Sequence, residues 1–121
     1  MPHTEVVIYQ ERDGTVPLLT WMDSLPAKVQ DKLLARIELL ADHGFELRRP
    51  HVDTLRDGVH ELRAKNFRVN YRILYFFHGK VAVLARGLTK EDTVPDREID
   101  LVVQQHSSFA KDPEGHTYRE K

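Results

Sequence analysis

The stretch Val59-His60-Glu61-Leu62-Arg63-Ala64-Lys65-Asn66-Phe67-Arg68-Val69-Asn70-Tyr71-Arg72-Ile73-Leu74-Tyr75-Phe76-Phe77 reads as two consecutive strands. In its second half Val69, Tyr71, Ile73, Tyr75 and Phe77 alternate with Arg68, Asn70, Arg72, Leu74 and Phe76. Successive side chains of a strand point to opposite faces, so this period-two pattern commits one face to a core. The first strand covers residues 59–65 and puts Glu61, Arg63 and Lys65 on a common face. Arginine seldom occupies the middle of a sheet, because an unpaired guanidinium is costly to bury. If the register aligns the two strands, Arg63, Lys65, Arg68 and Arg72 form one cationic surface with Glu61 among them, which points to an anionic ligand. His78-Gly79 then supplies a tight turn, and residues 80–88 read as a third strand. Arg86 and Lys90, on and just beyond that strand, extend the patch.

Working toward the N-terminus, residues 45–58 read as a polar connection, with Arg48-Arg49-Pro50 and Asp57-Gly58 as turn markers. Before it, Val29, Leu33, Ile37, Leu40 and Ala41 recur at helical spacing between the start signals Ser24 and Pro26 and the stop signal Gly44. A shorter helix through Pro17–Ser24, capped by Thr15, carries Leu18, Trp21, Met22 and Leu25 on one face. Trp21 on such a stripe is read as core. Val6–Tyr9 is a first strand, ended by the Asp13-Gly14 turn. Beyond the meander, Pro95 opens a final helix that packs Ile99, Val102 and Val103. From Ser107 onward no period is visible, so residues 107–121 are expected to be a flexible tail after a single domain spanning 1–106. Two helices followed by a meander and a closing helix predict an α+β fold. In it, two N-terminal helices pack on a twisted antiparallel sheet, with a C-terminal helix.

Charge is segregated along the 121 residues. The net charge is −3 over residues 1–45, +6 over 46–90 and −4 over 91–121. A basic block on predicted strands suits a polyanionic partner. No apolar run is long enough for a bilayer, and residues 1–5 lack the character of a signal peptide, so a cytoplasmic protein with no membrane association is expected. The absence of cysteine removes disulfides and thiol chemistry. None of the seven histidines has a tight metal-ligand spacing, and no phosphate-binding glycine loop is present, so neither metal nor cofactor is expected.

Phosphodiester suits such a surface, because arginine matches phosphate oxygens with a planar fork and each contact releases counterions. Attack of a ribose 2′-hydroxyl on the adjacent phosphate builds charge on non-bridging oxygens, which arginine stabilises. Glu61 has two readings: a partner of Arg63 or Arg72, or an acid–base group. His51, in the connection beside the basic block, is the histidine freest to reach a ligand. His60 is read as a partly buried strand residue.

Four pieces of the chain together resemble the RelE/ParE toxin superfamily of type II toxin–antitoxin modules, most closely its HigB-like, phage-derived branch. They are Trp21–Pro26, Leu55–Arg63, Tyr71–Phe77 and Gly87–Ile99. The resemblance implies a RelE-like fold and ribosome-dependent, metal-independent mRNA cleavage that leaves a 2′,3′-cyclic phosphate. It assigns catalytic roles to Arg63, Arg72 and Lys90, with Arg68 a looser match. From the basic patch itself, Lys65, Arg68, Arg86 and His51 are expected as further RNA-binding residues. It also implies the ribosome, mRNA and a cognate antitoxin of the helix-turn-helix kind as partners. Two alternatives share the scaffold: a non-enzymatic gyrase inhibitor of the ParE kind, and an inactive scaffold protein.

Overall fold

The computed structural model describes residues 3–89 and 93–120. In chain order the elements are β1 (Val6–Ile8), α1 (Pro17–Asp23), α2 (Ala27–His43), β2 (Val52–Thr54), β3 (His60–Asn66), β4 (Val69–His78), β5 (Val81–Thr89) and α3 (Asp96–Lys111). Short 3-10 turns lie at Gly44–Glu46 and Glu114–His116. Pro17 stands at the first turn of α1, where its missing N–H costs nothing, and Val16 rather than Thr15 is the capping residue. Gly44 ends α2 at a φ of 54°. A side chain there would run into Thr4, so both the backbone angle and the close approach select glycine.

The five strands form one sheet in the order β1-β5-β4-β3-β2. The meander is antiparallel as expected, and β2 adds to it through Asp53 opposite Glu61. β1, however, pairs parallel with β5, through Val6–Ala82 and Ile8–Leu84. The sheet is therefore mixed rather than antiparallel throughout. After β1 the chain crosses the sheet as the α1–α2 hairpin and re-enters at the opposite edge. The meander then works back to β1, and β5 arrives running in the same direction.

The two faces carry different layers. Leu18, Met22, Val29, Leu33 and Leu40 from the helical hairpin pack on Leu62, Ile73, Tyr75 and Leu84. Trp21 lies over Gly87, and its indole N–H donates to Thr89 Oγ1 at 3.3 Å, so it belongs to this layer. On the other face Ile99, Val102 and Phe109 of α3 pack on Leu74, Phe76, Val83 and Ala85. The α3 layer rests on β4 and β5, which leaves the β2–β3 side of this face open.

The segment expected to be a tail is instead built into the structure. α3 runs on to Lys111, Phe109 is buried, and His116 is buried with its ring stacked on Tyr9 at 5.0 Å. The backbone pairs Gln10 N–H with His116 O and Tyr118 N–H with Ile8 O, both at 2.8 Å. These bonds cover the outer edge of β1. The packing positions after 106 are supplied by Phe109 and a histidine, so no apolar period announces them. No helix among the described residues is long and apolar enough to cross a membrane.

Candidate functional site

The open part of the α3 face carries the polar centre of the molecule. Arg63 and Arg72 are direct Cα partners across β3 and β4, so the register the sequence argument required is the one formed. Their neighbours Leu62, Ala64, Tyr71 and Ile73 point into the helical-hairpin core, and this fixes the register. A one-residue slip would exchange the two faces. With Asp53, Leu55, Glu61, Thr93 and Val94, the two arginines line a cavity of about 280 Å³.

The arginines do not form a bare cationic patch. Glu61 is buried between them, with its carboxylate 3.2 Å from Arg72 and 3.4 Å from Arg63. Arg63 also meets Asp53 at 3.0 Å, and Asp53 meets Arg49 at 3.1 Å. The result is an alternating chain, Arg49–Asp53–Arg63–Glu61–Arg72, whose net charge is +1. Burial works against the charged form of Asp53. The hydrogen bond and charge of Arg49, the Thr54 N–H and the charge of Arg63 outweigh it and hold its carboxyl below the usual carboxylate range. The side chain of Arg63 is 39% exposed and that of Arg72 only 12%. The Nε groups of both are shielded and have no hydrogen-bond acceptor among the described residues, and Glu61 Oε1 meets Arg72 as an ion pair without a hydrogen bond of its own. The cluster is therefore paired by charge more completely than by hydrogen bonds.

The other expected residues divide. Lys65 and Arg68 are exposed, at the end of β3 and in the turn to β4. Lys65 shares the Arg63 face and pairs with Asn70 across the hairpin. His51 flanks Arg63, whose N–H donates to the His51 carbonyl at 2.8 Å. Arg86 is drawn away to α3: its Nε donates to Glu98 Oε1 at 3.1 Å. A bulge lies behind this. Leu74 pairs with Arg86 and Tyr75 with Leu84, so Ala85 is the extra residue and Arg86 turns to the α3 face. Lys90 lies outside the described residues. Thr89 before it is opposite Tyr71, and Thr93 after that segment lines the cavity beside Arg72.

Sequence reasoning missed Asp53 and Arg49 in the cluster. A strand of three residues inside a polar connection gives no alternation to read, and only the Asp53–Glu61 register brings these groups together. His60 lies on the opposite face and donates or accepts at Thr54 Oγ1 across 3.0 Å, and burial lowers its pKa. It takes no part in the cluster.

The fold and cluster can be set beside known proteins. Residues 20–106 match the family described as phage derived protein Gp49-like (DUF891). That is most of the chain, and the protein belongs to this family. The matched span runs from α1 into α3 and includes the whole Arg49–Arg72 cluster. No curated protein matches the chain significantly.

Proposed function

We propose that this protein is the toxin of a type II toxin–antitoxin module and that it cleaves mRNA on the ribosome without metal. The family's phage-derived, RelE/HigB-like character supports the toxin class. The observation that carries the activity is the pairing of Arg63 with Arg72 at the wall of an open cavity, where the Nε groups of both lack an acceptor among the described residues. Glu61 and Asp53 orient the guanidinium planes in advance, so little order has to be imposed when a phosphate arrives. Arg63, the more exposed, meets the non-bridging oxygens, and Arg72 adds field from behind. The 2′-hydroxyl of the same nucleotide attacks phosphorus, the 5′-oxygen of the next nucleotide leaves, and a 2′,3′-cyclic phosphate and a 5′-hydroxyl result. Lys90 supplies a further positive charge in this scheme. Glu61 acts as the positioning residue for both arginines.

One observation favours the gyrase-inhibitor reading. The cluster's net charge is only +1, and Arg86 is committed to Glu98, so the surface is less cationic than the sequence suggests. Primer extension on translated mRNA after induction separates the two. Ribosome-dependent breaks that disappear in Arg63→Ala and survive partly in Arg63→Lys support the nuclease. DNA damage without mRNA breaks supports the inhibitor. Arg63 is the cleaner probe, because its loss leaves Glu61 paired with Arg72. Cleavage of an RNA carrying a 2′-deoxy group at the scissile nucleotide would refute the mechanism.

A further inference from the structure

The tip of the β3–β4 hairpin is built against local preference. Asn66 pairs with Val69, so Phe67 and Arg68 are the two central residues of a tight turn. Phe67 has a φ of 57°, while Arg68 is not in the positive region. A two-residue hairpin turn with positive φ only at its first central residue normally carries glycine there. Here that position holds a phenylalanine that is 85% exposed and buries almost nothing in the fold. Neither backbone preference nor the hydrophobic effect selects it.

We propose that Phe67 is a stacking residue for single-stranded RNA, holding a base of the same strand whose phosphate lies at Arg63 and Arg72; this rests on the RNA-cleaving reading above. An aromatic ring offers a face that any base can stack on. The surroundings suit a polyanion. Arg68 follows Phe67 directly, Lys65 is exposed two residues before it, and Lys32 reaches the hairpin through hydrogen bonds to Lys65 O and Asn66 Oδ1. Between Leu62 and Lys90 the chain contains no aspartate or glutamate. Phe67 stands four residues from Arg63, about 13 Å along the strand at about 3.3 Å per residue. That distance lies within the span of a few nucleotides of an extended chain, and Lys65 sits between on the arginine face. A protein-docking aromatic belongs in a larger apolar patch, whereas the chain neighbours of Phe67 are Asn66 and Arg68.

The test pairs two readouts. Fluorescence anisotropy of an end-labelled, mixed-sequence RNA dodecamer measures binding to the full chain, and primer extension on translated mRNA measures cleavage. Phe67→Gly should raise the melting temperature, because glycine takes the turn geometry without strain. The same variant should weaken dodecamer binding by about 5- to 160-fold, the range of one lost base–aromatic stack. Phe67→Trp should bind within about 3-fold of wild type, with its emission quenched by RNA. Lys65→Ala should reduce the salt slope by about one counterion. Wild-type binding in Phe67→Gly overturns the proposal, and unchanged mRNA breaks in that variant leave the nuclease reading standing. Dodecamer binding that depends on Phe67, without any mRNA breaks, has the opposite meaning: the stacking residue stands and the nuclease falls. No binding by the wild-type chain, or loss in Phe67→Gly of a co-purifying protein rather than of RNA, also overturns it.

Discussion

Replacing Glu61 by leucine should be the most damaging single change at the arginine cluster. The side chain of Glu61 is 2% exposed and that of Arg72 12% exposed, so the substitution leaves a nearly buried guanidinium without its anion. Breaking a buried pair from one side costs about 3–5 kcal/mol. At about 3–5 °C per kcal/mol for a chain of this size, the melting temperature should fall by roughly 10–20 °C. Glu61→Gln keeps the volume and one acceptor oxygen and should cost less, about 2 kcal/mol. The informative variant is the double substitution Glu61→Leu with Arg72→Met. It removes both charges, fills the space with apolar atoms, and should recover most of the loss, since buried pairs contribute little net stability over a hydrophobic replacement. Urea unfolding followed by the fluorescence of Trp21, the sole tryptophan, reads wild type, Glu61→Leu, the single variant Arg72→Met and the double variant as one cycle. A Glu61→Leu protein within about 1 kcal/mol of wild type would refute the reasoning. So would a double variant no more stable than the single one. In dodecamer binding, Glu61→Gln should bind RNA more tightly and with a steeper salt dependence, because Arg63 and Arg72 lose a competing anion.

Three further outcomes are expected. Truncation after Ala110 should lower the melting temperature by at least about 5 °C, since it removes buried His116 and the two backbone bonds that cover β1, together worth about 2 kcal/mol or more. Gly87→Ala should destabilise by about 1–3 kcal/mol and shift Trp21 emission, because a methyl group there would overlap the Cε3, Cδ2 and Cζ3 atoms of the indole. Stability should decline as pH falls below about 6.5: burial lowers the pKa of both His60 and His106, helped at His106 by the charge of His78, so the unfolded chain takes up protons first. That contribution is complete above the unfolded value and lost between it and the lower folded values. Melting curves of His60→Gln and His106→Gln from pH 8 to pH 5 should be flatter than wild type.

The meander and α2 were legible because their periods are uninterrupted. Tyr71, Ile73 and Tyr75 mark one face of β4, and Val29, Leu33 and Leu40 mark one stripe of α2. The parallel pairing of β1 was not legible, because three apolar residues reveal a strand but not its neighbour. The far end of α3 was hidden by polar residues at packed positions. Gln105 is buried with its amide on Ala85 O, and His106 stacks on Phe76 at 4.3 Å, so the stripe from Val102 to Phe109 looks broken in the sequence. At the site, the shared face of the arginines within each strand could be anticipated from alternation. Their alignment across strands rested on a register that alternation leaves open and that the structure supplies as Arg63 opposite Arg72. Their neutralisation could not be anticipated, since it depends on Asp53 arriving from a three-residue strand and on Glu61 lying between two guanidinium groups.

The pairing of β1 also bears on how the molecule comes into being during synthesis. Its partners are residues 82–84 on one side and 116–118 on the other. A chain emerging N-terminus first must therefore hold an unpaired apolar strand, Val6–Ile8, until residues 82–84 have been translated. The β3–β4 hairpin closes a short loop and can form early, whereas β1 waits on contacts with a large loop-closure entropy. The arginine pair is thus assembled well before the edge that completes the sheet. A nascent chain halted between these events would carry the polar cluster without the closed fold, with its first strand open to capture by a chaperone or by another chain.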